Sequence, residues 1–368
     1  MSAPLSSRAL GRALLARQHL LARSPLDAAA MLEHLVGLQA QAAPEPPYLG
    51  LLSRIEGFHP AQLSTLLESR QAVRIALQRG TIHLVTARDC LTLRPLLQPV
   101  HDRWLRGSYA KRLPDLDLDA PDGAAPVAAL ARELVEAEPL TFQKLGPLLA
   151  PAFPRSEPAA LAQAARCALP LVQVPPRGVW GRSGPAAHTT AEHWLGGPLD
   201  TEPVLDALVL RYLAAFGPAT ATDVQKWSGL TRIGPVLARL ADRLVRLRDE
   251  SGRTLYDLPD APRPGAGVPA PVRLLAPFDN LLLSHADRSR VLPEEYRARV
   301  MTVNGIVLGT VLVDGAVAGT WRLDEDLLTV RPFAPLPEAA MPGVEEEGAR
   351  VLAFVGAVDG RVVVAAAD

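Results

Sequence analysis

Two glutamines separated by one alanine, Gln39 and Gln41, have side chains that can act together on one small molecule. A glutamine amide both accepts and donates hydrogen bonds, so a pair of amides can hold one water molecule between them. On a helix the two side chains would point about 200° apart, whereas in an extended segment they face the same way. This chemistry therefore requires the chain to leave its helix near Leu38. The alternative is two exposed glutamines at the end of a helix.

The helix that precedes these glutamines has its own sequence signals. Ser24-Pro25-Leu26-Asp27 supplies an N-cap, a proline at the first position and an acid at the third. Apolar residues then recur at helical spacing to about Leu38. An earlier helix is predicted over Ser7–Ala22, and we prefer it to a transit peptide because it runs directly into the capped second helix.

A repeat of helices followed by a short β-hairpin organises the chain, and it is clearest in residues 203–258. One helix ends at Gly217, and Thr220-Ala-Thr-Asp223 resembles a capping box that opens a second helix. A third helix follows a Ser-Gly turn, and LVRL (244–247) and LYDL (255–258) alternate as a hairpin. Helix, helix–turn–helix, hairpin is the order of elements in a winged-helix module.

The same order recurs twice. In residues 126–182 the third helix covers 158–169, and LVQV (171–174) and VWGR (179–182) form the hairpin around PPRG. In residues 5–86 a helix over Pro60–Ser69 precedes strands VRIAL (73–77) and IHLVT (82–86). The alternative is a helical scaffold with incidental hairpins. We favour the repeat, since three consecutive copies each close with a hairpin.

The repeats predict an α+β fold of three tandem winged-helix modules followed by a C-terminal mixed β domain. We place the modules at 1–112, 113–198 and 199–262, and the β domain at 263–368. Two Pro-rich stretches, 113–124 and 260–271, are predicted linkers. In the last domain Asp314-Gly315 predicts a hairpin turn, LLTVRPF a strand, Pro337–Val358 a region containing a helix, and RVVVAA the last strand.

The charge of the chain is unevenly distributed. Its formal net charge is −1, yet residues 1–112 hold 14 basic against 7 acidic residues, a net of +7. A polyanion would therefore meet the N-terminal third or a local basic groove. No stretch approaches the roughly 20 uninterrupted apolar residues of a membrane span, so we expect no contact with a membrane. Because the first helix is taken as structural rather than as a transit peptide, we expect a cytoplasmic protein.

The cysteines and histidines give no metal or redox signal. Cys90 and Cys167 stand alone, without CxxC spacing, and are most simply small buried residues. His188 and His193 are five residues apart, which is poor geometry for one helix face. No phosphate-binding loop, dinucleotide fingerprint or serine-hydrolase pattern appears, so we expect neither a metal nor a cofactor.

Five segments together resemble the winged-helix DNA-binding-domain family that includes the AlkZ-like DNA glycosylases. They are GLQAQ (37–41), RGTIHL (79–84), GPATATDVQKWSGL (217–230), PFDNLLLSHADR (277–288) and NGIVLGTVLVDGAVAGTWR (304–322). The resemblance spans essentially the full length. It implies that Gln39 and Gln41 are the catalytic Gln-x-Gln pair. A related branch carries Gln-x-Asp, so Gln41 indicates the Gln-Gln branch, and Ala40 only minimally satisfies the usual aliphatic position between them.

The resemblance further implies a monofunctional glycosylase for bulky N7-alkylguanine adducts and interstrand crosslinks, acting in DNA repair and genotoxin self-resistance without full base flipping. An N7-alkylguanine is cationic and already a good leaving group, so orienting a water molecule is enough. The implied partner is double-stranded DNA carrying alkylated purines, bound by a monomer that associates with the nucleoid. The alternatives are a non-catalytic winged-helix regulator and an interaction scaffold.

Six residues are candidate DNA contacts. On or beside the first hairpin these are Arg74, Arg79 and His83, and later in the chain they are Arg232, Arg239 and Arg288. His83 is equally well explained as a packed histidine. The run from Asp279 and Asn280 to Arg288 is either a functional cluster of the family or a brace of its own turns, and we prefer the brace. Trp227 is expected in the core.

Overall fold

The computed structural model describes residues 4–357 and 359–367. Their contacts divide the chain into two compact units. The first unit comprises the described residues of Met1–Gln62, Asp206–Trp227 and Arg232–Asp368, and the second comprises Leu63–Leu205 and Ser228–Thr231.

The helices alternate with short strands along the whole chain, as expected for an α+β protein. In chain order the α-helices are α1 (Ser7–Arg17), α2 (Ala28–His34), α3 (Glu45–Leu52), α4 (Pro60–Glu68), α5 (Ala87–Leu96), α6 (Gln98–Tyr109), α7 (Ala125–Ala137), α8 (Phe142–Leu149), α9 (Pro158–Ala168), α10 (Ala191–Leu195), α11 (Leu205–Phe216), α12 (Ala221–Ser228), α13 (Ile233–Arg239), α14 (Arg297–Val300) and α15 (Met341–Val355). Among the described residues, none of these helices is both long and apolar enough to cross a membrane.

The strands are short, and among the described residues none except Ala316–Asp324 and Leu327–Pro332 is longer than five residues. In chain order they are β1 (Leu38–Gln39), β2 (Ala72–Ala76), β3 (Ile82–Thr86), β4 (Leu171–Gln173), β5 (His188–Thr190), β6 (Val245–Arg248), β7 (Thr254–Asp257), β8 (Arg273–Leu275), β9 (Thr310–Val313), β10 (Ala316–Asp324), β11 (Leu327–Pro332) and β12 (Arg361–Val364).

The first two helices form where the sequence predicts them, but both are shorter. Helix α1 ends at Arg17 rather than Ala22. The N-cap of α2 is Asp27, whose carboxylate accepts a hydrogen bond from the Ala30 amide at 2.8 Å. The prediction that Ser24 caps this helix is wrong, because its amide donates to the Arg54 carbonyl at 2.8 Å in an extended pairing.

Strands of the first unit build an open sheet in the order β12-β11-β10-β9-β8. The predicted turn at Asp314-Gly315 is confirmed, since both residues have positive φ (47° and 79°) and join antiparallel β9 and β10. Strand β12 pairs parallel with β11, and α15 is the connection between them. The predicted helix region extended to Val358, which lies outside the described residues.

Buried ion pairs fix α1 to distant parts of the first unit. Arg17 makes a two-pronged pair with Asp257, with nitrogen–oxygen distances of 2.6 and 2.8 Å, and the two side chains are 1% and 0% exposed. Arg12, also buried, donates to the carbonyl of Asp314 at 2.9 Å. These partners are more than 200 residues away in sequence, so sequence patterning gave no sign of them.

Helices α11, α12 and α13 and the hairpin β6–β7 follow one another in the predicted order. Thr220 and Asp223 form the expected reciprocal cap: the Asp223 carboxylate accepts from the Thr220 amide at 2.8 Å, and the Thr220 hydroxyl accepts from the Asp223 amide at 3.1 Å. Strands β6 and β7 pair antiparallel, as predicted. Trp227 is 2% exposed and packs against the Tyr212 ring at 4.9 Å, which confirms it as a core residue.

In the second unit β3, β2, β4 and β5 are neighbours in that order, and each pair is antiparallel. The hairpin β2–β3 confirms the predicted pair of strands. The prediction that VWGR (179–182) pairs with β4 is wrong, because β4 pairs instead with His188–Thr190. Pro175 and Pro176 have no amide hydrogen to donate to a neighbouring strand, so β4 ends before them. The next segment that pairs with β4 begins at His188.

Helices α6, α7, α8 and α9 of the second unit surround one apolar core. The predicted linker 113–124 contains no helix or strand, yet its Leu113 and Leu116 are 0% and 8% exposed and belong to this core. It is therefore packed chain rather than a free linker. Helices α3, α5 and α6 were not predicted; each contains proline, which obscured the helical pattern.

Candidate active site

The Gln39–Gln41 segment lies just beyond the end of α2 and outside any helix. Helix α2 ends at His34, four residues before the predicted exit near Leu38. Val36 and Gly37 have positive φ (55° and 87°). Their amides donate back to the carbonyls of Glu33 (3.2 Å) and Leu32 (2.8 Å), which is the Schellman ending of a helix.

The chain then becomes extended at β1, which includes Gln39 but not Gln41. Leu38 and Gln39 have strand geometry, and Gln41 lies in a bend that leads toward α3. The requirement that the chain leave the helix before the first glutamine is met, since neither glutamine is helical. Gln39 is 8% exposed and Ala40 is 0% exposed, whereas Gln41 is exposed to solvent.

Asn280 clasps the backbone on both sides of Leu38. Its amide oxygen accepts a hydrogen bond from the Gln39 amide at 3.1 Å, and its amide nitrogen donates to the Gly37 carbonyl at 2.7 Å. Because the donor and acceptor of one carboxamide are both used, the Asn280 side chain has a single favourable orientation. It therefore fixes the direction in which the chain carries Gln39 away from the helix.

A buried ion pair anchors the residue before Asn280. The Arg54 guanidinium bonds both carboxylate oxygens of Asp279 at 2.8 and 2.7 Å, and both side chains are 0% exposed. Arg54 also donates to the side-chain oxygen of Gln18 at 3.1 Å, while Asp279 accepts from the Leu281 amide at 2.9 Å. A charge pair with this many partners holds its backbone rigidly.

The interpretation that Asp279 and Asn280 brace their own turn is therefore correct only in part. Asp279 does cap the short 3-10 turn Asn280–Leu282, but Asn280 braces the Gln-x-Gln segment, about 240 residues earlier in sequence. The signal in the sequence is that both residues lie in PFDNLLLSHADR, one of the five segments that carry the family resemblance. Nothing in the sequence says which backbone an asparagine contacts.

The two histidines near this segment are neutral at physiological pH. Burial lowers the pKa of His19 to about 4, with smaller contributions from His34 and Arg54. Burial also lowers the pKa of His34, although its ring nitrogen Nε2 donates to the Arg17 carbonyl at 2.6 Å. Neither imidazole is positioned as a proton donor at neutral pH.

The predicted contacts on the first hairpin differ in exposure. Arg74 is 2% exposed, and its Nε donates to Gln173 on the adjacent strand at 3.1 Å. His83 is also 2% exposed, its Nδ1 donates to the Thr81 carbonyl at 3.0 Å, and burial lowers its pKa to about 3. Burial favours a packing role for both. Arg79 lies in the turn between the strands, with φ 56°, and is half-buried.

The other three predicted contacts lie in the first unit. Arg232 is exposed and stands at the N-terminus of α13. Arg239 is exposed, but it makes an ion pair with Asp206 through Nε at 3.0 Å. Arg288 is half-buried, and burial together with nearby Arg297 lowers its pKa. Of the three, Arg232 is the most accessible to a phosphate.

The cysteines are buried, as predicted. Burial raises the pKa of Cys90 and of Cys167 to about 12, so both thiols stay protonated at neutral pH. Within residues 4–357 and 359–367 no group of three or more His, Cys, Asp or Glu side chains is placed to hold a metal ion.

Comparison with known proteins decides the family. The family model described as DNA glycosylase AlkZ-like matches residues 32–354, which include the whole Gln39–Gln41 segment and Asn280. The chain belongs to the AlkZ-like DNA glycosylase family.

A curated sequence and a solved structure, both from Streptomyces sahachiroi, are similar to this chain. An interstrand DNA cross-link repair glycosylase is 32% identical over 152 residues, which cover 39% of this chain and 41% of that relative. The matched part thus spans about two fifths of the curated relative. The solved structure of DNA glycosylase AlkZ shares the fold, with a TM-score of 0.81 and 21% identity over 99% of this chain and 100% of that one.

Proposed function

We propose that this protein is a monofunctional DNA glycosylase that hydrolyses the N-glycosidic bond of N7-alkylguanines, with Gln39 and Gln41 as its catalytic residues. The observation that carries the proposal is the non-helical segment that bears both amides, extended at Gln39 and bent at Gln41, and held by the clasp of Asn280 on Gln39 and Gly37. Membership of the AlkZ-like DNA glycosylase family supports it.

The reaction needs little acid–base help. Alkylation at N7 places a positive charge on the imidazole ring of guanine. When the C1′–N9 bond breaks, its electron pair moves into that ring and neutralises the charge, so the base leaves without being protonated. The sugar carbon C1′ becomes an oxocarbenium-like centre, a water oxygen bonds to it, and the water proton passes to solvent.

Two amides suit this chemistry because they position a water molecule without ionising. Each can accept a hydrogen bond from the water and donate one to it, and a fixed orientation is worth several orders of magnitude in rate. An amide dipole also stabilises the positive charge that develops at C1′. An uncharged base must be protonated in order to leave, and a glutamine supplies no proton, so we expect no activity on ordinary, uncharged bases.

Bulky adducts and interstrand crosslinks are the substrates we propose. A relative 32% identical over 152 residues is named an interstrand DNA cross-link repair glycosylase. A base joined to a large group or to the opposite strand does not fit a closed flipping pocket, so an enzyme acting on it must work on a base that stays largely in place. Such activity serves DNA repair and self-resistance to alkylating natural products.

We infer that the partner is double-stranded DNA, bound through winged-helix modules by a monomeric protein. The proposed modules span 1–112, 113–198 and 199–262, followed by a β domain at 263–368. Hairpins β2–β3 and β6–β7 follow helices in the order that this motif requires. Arg79, Arg232 and Arg288 are the candidate phosphate contacts that we retain, while the accessible Arg239 is already paired with Asp206.

A base-release assay tests the proposal. Wild-type protein and a Gln39→Ala/Gln41→Ala variant would be incubated with a duplex that carries one N7-methylguanine, and with a crosslinked duplex. Abasic sites would be counted as alkali-labile breaks. The matched control is Gln62→Ala, which removes an exposed glutamine from α4.

We expect the double variant to lose base release while it keeps most of its affinity for DNA, and the Gln62 variant to match wild type. Equal release by wild type and the double variant would refute the catalytic role of the pair. DNA binding without release by wild type would indicate a non-catalytic winged-helix binder instead.

A further inference from the structure

A cavity of about 610 Å³ lies within the first unit and adjoins the Gln-x-Gln segment. Its wall includes Ala42, whose Cα lies about 3.8 Å from that of Gln41 because the two are consecutive. The wall also includes Pro277, three residues before Asn280 in the segment that clasps Gln39. The cavity is therefore bounded by the same two segments that hold the glutamines.

The chemistry of this cavity is mainly apolar. Leu49 of α3, Leu308 and Leu323 contribute aliphatic side chains, and Trp321 contributes an indole. Charged residues of the wall, such as Glu45 and Arg331, are exposed to solvent. The volume lies within the roughly 300–1,000 Å³ of small-molecule sites, and such sites combine apolar walls with a few polar groups.

The indole of Trp321 is held in one position. Its Nε1 donates a hydrogen bond to the Leu275 carbonyl at 2.8 Å. A side chain at Gly309 would place its Cβ 2.9 Å from the same nitrogen and 3.0 Å from Cε2, so only glycine allows the backbone to approach the ring this closely. A fixed aromatic ring in an apolar wall favours a flat apolar ligand.

We propose that this cavity receives the apolar, aromatic substituent carried on N7 of the alkylated guanine. This inference rests on the proposed function. N7 and N9 are separated by one carbon in the same five-membered ring, so a substituent on N7 lies close to the C1′–N9 bond that the glutamines serve. N7 also faces the major groove, where a substituent projects out of the base stack.

The consequence is a preference among adducts. Burial of an aromatic group against Trp321 and the leucines removes apolar surface from water and favours binding, whereas a methyl group buries almost no such surface. The enzyme should therefore process an N7-benzyl adduct more efficiently than N7-methylguanine, beyond any difference in their spontaneous release.

Plugging the cavity tests this inference. Leu323→Trp on β10 and Leu308→Trp in the segment before β9 each enlarge a half-buried side chain of the wall, and Leu323 lies on the same face of its strand as Trp321. The control is Val363→Trp: Val363 lies on β12, is 42% exposed, and does not belong to the cavity wall. For each protein we would measure kcat/KM on duplexes containing N7-benzylguanine and N7-methylguanine.

The decisive quantity is the benzyl-to-methyl ratio of kcat/KM, in which a general loss of folded protein cancels. We expect both plugs to lower this ratio at least about tenfold and the control to leave it within about twofold. If wild type releases both bases and the ratio is unchanged in both plugged variants, the proposed role of the cavity is refuted and the proposed function stands. Release of neither base by wild type would overturn the proposed function and the cavity with it.

Discussion

The side chain of Asn280 donates to the carbonyl of Gly37 at 2.7 Å and accepts from the amide of Gln39 at 3.1 Å. One carboxamide thus joins Gly37, which closes the Schellman ending of α2, to Gln39, the first residue of the candidate catalytic pair. Val36 and Gly37 turn the chain with positive φ, and Asn280 fixes the direction it takes afterwards. Two local constraints and one long-range contact together orient Gln39.

Asn280→Ala should reduce base release while leaving DNA affinity nearly unchanged. The variant removes both hydrogen bonds of the clasp, so the segment that carries Gln39 gains freedom and the water is less well oriented. We expect kcat to fall about tenfold or more, with Kd for undamaged duplex within about twofold. Single-turnover release and fluorescence anisotropy measure the two quantities.

Asn280→Asp separates positioning from simple loss of packing. It keeps an oxygen that accepts from Gln39 but replaces the nitrogen that donates to Gly37, so an acceptor would face a carbonyl. We expect a kcat at least as low as that of the alanine variant. Full activity in both variants would refute a positioning role for Asn280.

Asp279→Asn should destabilise the first unit strongly. Arg54 and Asp279 are both 0% exposed, and removing one charge leaves the other buried without its counter-ion. Breaking such a pair costs about 3–5 kcal/mol, whereas replacing both partners with apolar residues costs less. We therefore expect Arg54→Met/Asp279→Leu to be more stable than Asp279→Asn in urea denaturation, and the reverse order would contradict this account.

Gly315→Ala should destabilise the protein more than Gly305→Ala. Both glycines have positive φ (79° and 76°), so both substitutions carry the same backbone strain of about 1–2 kcal/mol. A Cβ at Gly315 would also lie 2.7 Å from the Leu15 side chain and against the Arg12 guanidinium, whereas nothing lies within 4 Å at Gly305. Melting temperatures measure the difference. Equal losses of stability in the two variants would show that the side chains of α1 move to make room for the new Cβ.

Stability should fall on acidification, with part of the slope due to His83. Burial lowers the folded pKa of His83 from 6.5 to about 3, so below pH 6.5 the unfolded chain binds a proton that the folded chain does not. This histidine therefore imposes no penalty above pH 6.5, and stability is lost progressively as the pH falls toward 3. The loss is about 1.4 kcal/mol per pH unit for one proton.

His83→Gln should flatten that slope by about one proton between pH 4 and 6. The charge of Arg79 also lowers the pKa of His83. Urea denaturation at several pH values gives the slopes of wild type and variant. Parallel slopes would mean that His83 titrates normally in the folded protein.

Arg232→Gln should weaken DNA binding and its dependence on salt. If this exposed side chain contacts one phosphate, its loss should reduce the slope of log K against log salt by about 0.9. Arg361→Gln, an exposed arginine on β12 outside the candidate set, is the matched control. Identical slopes for the two variants would remove Arg232 from the proposed DNA contacts.

Local features of the fold could be predicted from the sequence. The turn at Asp314-Gly315, the cap formed by Thr220 and Asp223, and the hairpin β2–β3 were all predicted, because each depends on residues close together in the chain. The wrong predictions concern contacts between distant segments. Strand β4 pairs with His188–Thr190 rather than with the expected VWGR strand, and Leu113 of a predicted linker is part of a core.

The sequence by itself determined the glutamine pair, the need for an extended exit from its helix, and through its motifs the family. Only the tertiary structure decided what holds that exit in place and what lies beside it. Asn280 contacts Gln39 across 241 positions of the chain, and its neighbour Asp279 pairs with Arg54 across 225 positions. A hydrogen bond depends on distance and direction in space, and neither is encoded in the spacing of residues along the chain.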